Sequence, residues 1–149
     1  MPMTMNKTAY GGLSVEGNAV ATTIVTQNVY VQFTAFDTDA PSSDAVPANA
    51  SDDVTVNTAG DYLVSWSASA SGAANDVIAI HLEKNNGATD LPGTLGTRKI
   101  SAAGDVGRMA NSTICTLAVA DTVELWAANE SDTSDFTLED VSMSIVRVG

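Results

Sequence analysis

From Tyr62 to Ala70 the side chains alternate without a break, with Tyr62, Val64, Trp66, Ala68 and Ala70 in one set and Leu63, Ser65, Ser67 and Ser69 in the other. A two-residue period places the sets on opposite faces of an extended strand and is incompatible with the 3.6-residue repeat of a helix. Such a stretch requires a sheet, and a sheet with an apolar face requires a second layer to bury it.

The same pattern recurs along the chain. Val77 to Lys84 carries Ile78, Ile80 and Leu82 on one face and ends at Asn85, Asn86 and Gly87, residues that accept the positive φ of a hairpin turn. Arg108 to Ala118 alternates, Thr122 to Asn129 follows after a corner at Ala120 and Asp121, and Val141, Met143 and Ile145 share a face near the end. Earlier, Leu13 to Glu16, Ala19 to Val25 and Val29 to Thr34 read as two or three further strands. Asp37 to Asp53, rich in Asp, Ser and Ala and interrupted by Pro41 and Pro47, reads as a long acidic surface loop. No segment has helical periodicity. Roughly eight to ten short strands separated by turns predict an all-β fold, a two-sheet antiparallel jelly-roll sandwich. Met1 to Gly12, polar and closed by Gly11 and Gly12, reads as a flexible arm, and residues 13–149 as one domain.

Six Lys and Arg stand against 18 Asp and Glu, a formal charge of -12. That field repels phosphate backbones, which argues against nucleic acid as a partner. It also drives copies of the chain apart, so an oligomer must bury apolar area to form. No run of 18 apolar residues predicts a membrane span, and the first residues lack the apolar core of a secretory signal.

Catalytic patterns are missing as well. The chain has one histidine, His81, in mid-strand on the face opposite Ile80 and Leu82, and one cysteine, Cys115, which reads as a small buried hydrophobe. Neither has a local partner suggesting a nucleophile or a zinc ligand set, so the expectation is a protein without enzymatic activity or cofactor. The acidic stretches Asp37 to Asp53 and Glu130 to Asp135 have the oxygen chemistry of a structural Ca²⁺ site, but read first as a solvated anionic rim. Arg98, Lys99 and Arg108 gather half of the cations in one region. Tyr62, Trp66 and Trp126 stand on strands otherwise lined by small residues, which suits a subunit interface. The other reading of these three rings is intrachain core.

Thr58, Ala59, Gly60, Asp61 and Tyr62, leading into a long strand, with a second strand ending at Asn85, Asn86 and Gly87, resemble the centre of the C1q and tumour-necrosis-factor-like superfamily. The run from Ile114 to Leu125 looks like that family's Leu-x-x-x-Gly-Asp-x-Val-x-Leu corner, with Ala120 in place of the glycine, and Met143 to Val148 looks like its closing strand. These stretches cover about two-thirds of the chain in the expected order. The absence of a collagen-like Gly-x-y run and of an aromatic-rich closing strand makes the likeness one to microbial or viral members. The resemblance implies a homotrimer of jelly rolls. On that basis the chain is expected to be a virion structural protein, a bacteriophage capsid decoration or cement protein on the capsid exterior, with the major capsid protein as its partner. Its arm, through Met1, Pro2, Met3, Met5, Lys7 and Tyr10, would grip neighbouring capsid subunits. The alternative is a receptor- or glycan-binding head of a tail fibre or adhesin, using the loops Asp37 to Asp53 and Asn85 to Gly96.

Overall fold

Thirteen strands run through residues 8–149, the part of the chain that this computed structural model describes: β1 (Tyr10–Val15), β2 (Ala21–Thr22), β3 (Val31–Gln32), β4 (Thr38–Asp39), β5 (Ala45–Ala48), β6 (Asp53–Val56), β7 (Gly60–Ser71), β8 (Val77–Lys84), β9 (Thr89–Asp90), β10 (Gly96–Lys99), β11 (Gly107–Leu117), β12 (Thr122–Asn129) and β13 (Phe136–Arg147). They form two antiparallel sheets, the first ordered β11-β7-β13-β1-β4 with β2 beside β13, the second ordered β10-β8-β12-β6-β5 with β3 beside β12 and β9 beside β8. The described residues contain no helix. This is the all-β, two-sheet sandwich that the alternation predicts.

The bulky set of β7 faces inward. Tyr62, Val64, Trp66, Ala68 and Ala70 meet Leu13, Phe33, Ile80, Leu82, Leu125, Phe136, Met143 and Ile145 in one core between the sheets. Polar atoms carried into it are paired, as burial requires. The Trp66 indole N–H donates to the Thr94 carbonyl at 2.7 Å, and the Tyr62 hydroxyl donates to the Thr58 carbonyl at 2.5 Å, tying down the turn that opens β7. Gly12 is required where β1 crosses β13, since a Cβ there would lie 2.6 Å from the Met143 carbonyl oxygen.

Several boundaries differ from those legible in the sequence. Tyr10, Gly11 and Gly12, read as the end of an arm, are the first half of β1 and pair with Val146, Ile145 and Ser144. Met1, Pro2, Met3, Met5 and Lys7 lie outside the described residues. The stretches Ala19 to Val25 and Val29 to Thr34 contribute only the two-residue strands β2 and β3. The acidic segment Asp37 to Asp53 is not one loop: it contains β4 and β5 and enters both sheets. Pro47 is accommodated because β5 is an edge strand, where a missing N–H costs no ladder bond.

Ala120 has φ 70°, the left-handed conformation that the corner demands, and its N–H donates to the Val56 carbonyl at 2.8 Å. Next to it, burial pulls the Asp121 carboxyl upward, but the Ala118 N–H, the Asn85 amide and the Lys84 ammonium outweigh burial and hold it below the usual range. An L-residue in this conformation carries about 1–2 kcal/mol of strain, against about 0.4–1 kcal/mol of added unfolded-state entropy for glycine. Ala120→Gly is therefore expected to stabilise the chain by about 0.5–1 kcal/mol. The check is a rise in urea midpoint at unchanged slope; a fall would mean that the corner does not impose this conformation.

Candidate functional site

The two outer faces of the sandwich differ in chemistry. On the first sheet, the set opposite the core is Leu63, Ser65 and Ser67 on β7, and register extends each position into a row. Ile114, Leu63, Val146 and Tyr10 align across β11, β7, β13 and β1. The next rows are Ser112, Ser65, Ser144, Gly12 and then Ala110, Ser67, Ser142, Ser14. Serine hydroxyls bond across β7 and β13, Ser65 to Ser144 at 3.0 Å and Ser67 to Ser142 at 2.9 Å. None of these twelve positions is charged, on a chain whose formal charge is -12. The apolar row is open to solvent, Ile114 at 62% and Tyr10, Leu63 and Val146 each at 39%. Beside it, Ala40, Pro41, Gly12 and Val146 help line an apolar groove of about 240 Å³.

This arrangement corrects the sequence assignment of the interface rings. Tyr62 and Trp66 are 0% and 3% exposed within a single chain and have no surface left to give a neighbour. Alternation marks two faces but not which one turns inward, and the chain's own core took the larger rings. Trp126 is half-buried on the outer face of the second sheet, beneath a turn at Gly87. Leu63, Ile114 and Val146 do not stand out in the sequence because only the pairing of distant strands joins them into one row.

The outer face of the second sheet is charged and largely covered. Asp53, Glu124, Glu83 and Asp90 stand directly opposite one another on β6, β12, β8 and β9. Glu83 and Glu124 are buried, and His81, beside the row, is buried with Nε2 2.5 Å from Glu83 Oε1 and its ring stacked on Tyr30 at 4.0 Å. Burial pushes the Glu124 carboxyl up, while the Thr122 hydroxyl and the Asn86 N–H pull it back. Donors, acceptors and one imidazole are thus held together on this face. Cys115, partly buried with its thiol pushed up by burial, belongs to the other sheet.

Several carboxylates of the acidic stretches are spent on backbone N–H groups. Asp39 accepts from the Asn49 N–H, Asp52 from Phe36, Asp132 from Ser134 and Asp135 from Ile24, each at 2.7–2.9 Å. Arg98 pairs with Asp105 at 3.3 Å, whereas Arg108 is exposed near the end of the uncharged face.

No family model matches this sequence, and a search of curated proteins finds no match. Solved structures do match. Eiger TNF from S. frugiperda superposes with a TM-score of 0.66 at 13% identity, over 95% of this chain and 92% of that one. The globular domain of zebrafish complement 1qA gives 0.68 at 10% identity over 96% and 98%, and murine APRIL at pH 5.0 gives 0.63 at 12% identity over 95% and 100%.

Proposed function

Taking the TNF- and C1q-like jelly roll as its premise, we propose that this chain is a non-enzymatic structural head that assembles as a homotrimer through the outer face of its first sheet and decorates the exterior of a virion. One observation carries the trimer: a face with twelve uncharged positions and an exposed apolar row, on a chain charged enough to keep copies apart. Interface cores are depleted in charge and gain most from apolar area removed from water, and the aligned row supplies both. A fold of this kind is associated with trimers, and repetition of a shallow apolar face around an axis lets each chain both give and receive a contact.

Capsid decoration is the reading of what such a trimer does. Three copies multiply a weak contact by each terminal segment into a durable one, provided that all three reach the shell together. Light scattering after size exclusion is expected to give three times the 15.3 kDa chain mass; a stable monomer overturns the assembly. Deleting residues 1–7, which leaves β1 whole, is expected to abolish binding to capsids while the trimer persists. Unchanged binding overturns the role given to that segment, and a few copies per particle instead of many favours the receptor-binding head.

A further inference from the structure

The row formed by Asp53, Glu124, Glu83 and Asp90 has an electrostatic problem that its own residues do not solve. Directly opposed like charges destabilise a sheet, and more so where water is excluded. The nearest lysine on these strands, Lys84, is committed elsewhere, with its ammonium 3.3 Å from Asp121. Apart from it, His81 is the one basic side chain at the row among the described residues, and a single imidazole stands against four carboxyl groups.

The geometry is that of a ligand set. His81, Glu83 and Asp90 each offer a ligand atom, and these atoms lie within 4.8 Å of one another. Residues 81 and 83 share a face because they are two apart on β8, and Asp90 shares it because β9 pairs it with Glu83. Tyr30 stacked on the imidazole fixes the ring plane. A second observation is independent of the cluster: Glu124 is 0% exposed, its Oε1 accepts from Thr122 and from the Asn86 N–H, and its Oε2 has no hydrogen-bond partner. The Trp126 indole N–H on the same strand is likewise buried and unpartnered. Gly87, with φ 77°, closes the turn over the row, since a Cβ there would lie 2.8 Å from Glu83 Oε2 and 2.9 Å from the Trp126 ring.

We propose that His81, Glu83 and Asp90, backed by Glu124, bind a divalent transition cation of the zinc type. One imidazole nitrogen with carboxylate oxygens is a borderline set, softer than the all-oxygen shells of Ca²⁺ and Mg²⁺. Tetrahedral ligands about 2.0–2.1 Å from zinc sit roughly 3.3 Å apart, so His81 and Glu83 part by under about 1 Å on binding while the exposed Asp90 swings in. The ion then takes up the charge of the row. The site does not depend on trimer formation, because all its ligands come from one chain and lie on the sheet away from the uncharged face.

Titration of Zn²⁺ into chelator-stripped protein, followed by calorimetry and by tryptophan fluorescence, tests this. Expected are one ion per chain, a raised Tm, and a fluorescence change reporting Trp126. Asp90→Asn, at an exposed position that leaves the fold alone, is expected to weaken binding at least about tenfold, and His81→Gln more. No Zn²⁺ binding by the wild type, equal affinity in both variants, or Ca²⁺ binding as tightly as Zn²⁺ would each overturn the assignment.

Discussion

A chain carrying Leu63→Glu is expected to fold and to elute as a monomer. Leu63 lies on the inner strand β7 with Ile114 on one side and Val146 on the other, in the middle of the apolar row. In the isolated chain it is well exposed, and a substitution there changes monomer stability by no more than about 0.5 kcal/mol. In an assembled face the same carboxylate is buried without a partner, and an uncompensated buried charge costs about 3–5 kcal/mol. The cost recurs in every subunit, and the added charges repel across the axis. Trimer mass at micromolar concentration should give way to monomer, with an unchanged circular dichroism spectrum. A trimer that survives both Leu63→Glu and Ile114→Glu would mean that copies meet elsewhere.

Trp66→Ala should produce the opposite signature, a large loss of stability without a specific effect on assembly. Trp66 fills the core between the sheets, and truncating a buried aromatic to alanine costs about 3–5 kcal/mol. It also leaves the Thr94 carbonyl without its donor in a buried setting. Thr94 is itself a clamp, its hydroxyl donating to the Leu91 carbonyl at 2.7 Å and accepting from the Leu82 N–H at 2.9 Å, so the connection from β9 to β10 loosens with it. Urea unfolding read from the lowest-concentration samples isolates the effect. A loss under about 1 kcal/mol would contradict the inward placement of the ring.

These two residues, three positions apart on one strand, show how far the sequence could be read. Alternation around Tyr62 and Trp66 was enough to identify β7, the sheet and the need for a second layer, because periodicity is a local property. Which face turned inward was not local, since it depends on what the other sheet offers. The likeness to the tumour-necrosis-factor and C1q centre identified the fold from a few turn and strand motifs, and Ala120, the departure from that corner pattern, takes the left-handed backbone that glycine adopts without strain. The strands β2 and β3 were overestimated because Thr, Val and Ile have strand propensity wherever they occur, whereas the length of a strand is set by its available partner. In the sequence only His81 is singled out, and Glu83 shares its face by standing two positions on along β8. Positions 53, 90 and 124 join them through pairings between strands far apart in the chain, and no short motif encodes that.

In the first sheet β13 lies between β7 and β1. It is the last of the thirteen strands to leave the ribosome, yet two strands made earlier can reach each other's sheet only through it. During synthesis β1 and β7 wait with open backbone edges, and the sandwich closes in a late step dominated by contacts distant in sequence, which is a slow way to fold and one exposed to mispairing. A stall or cut before residue 136 would leave not a shorter version of this sheet but two separated pieces of it.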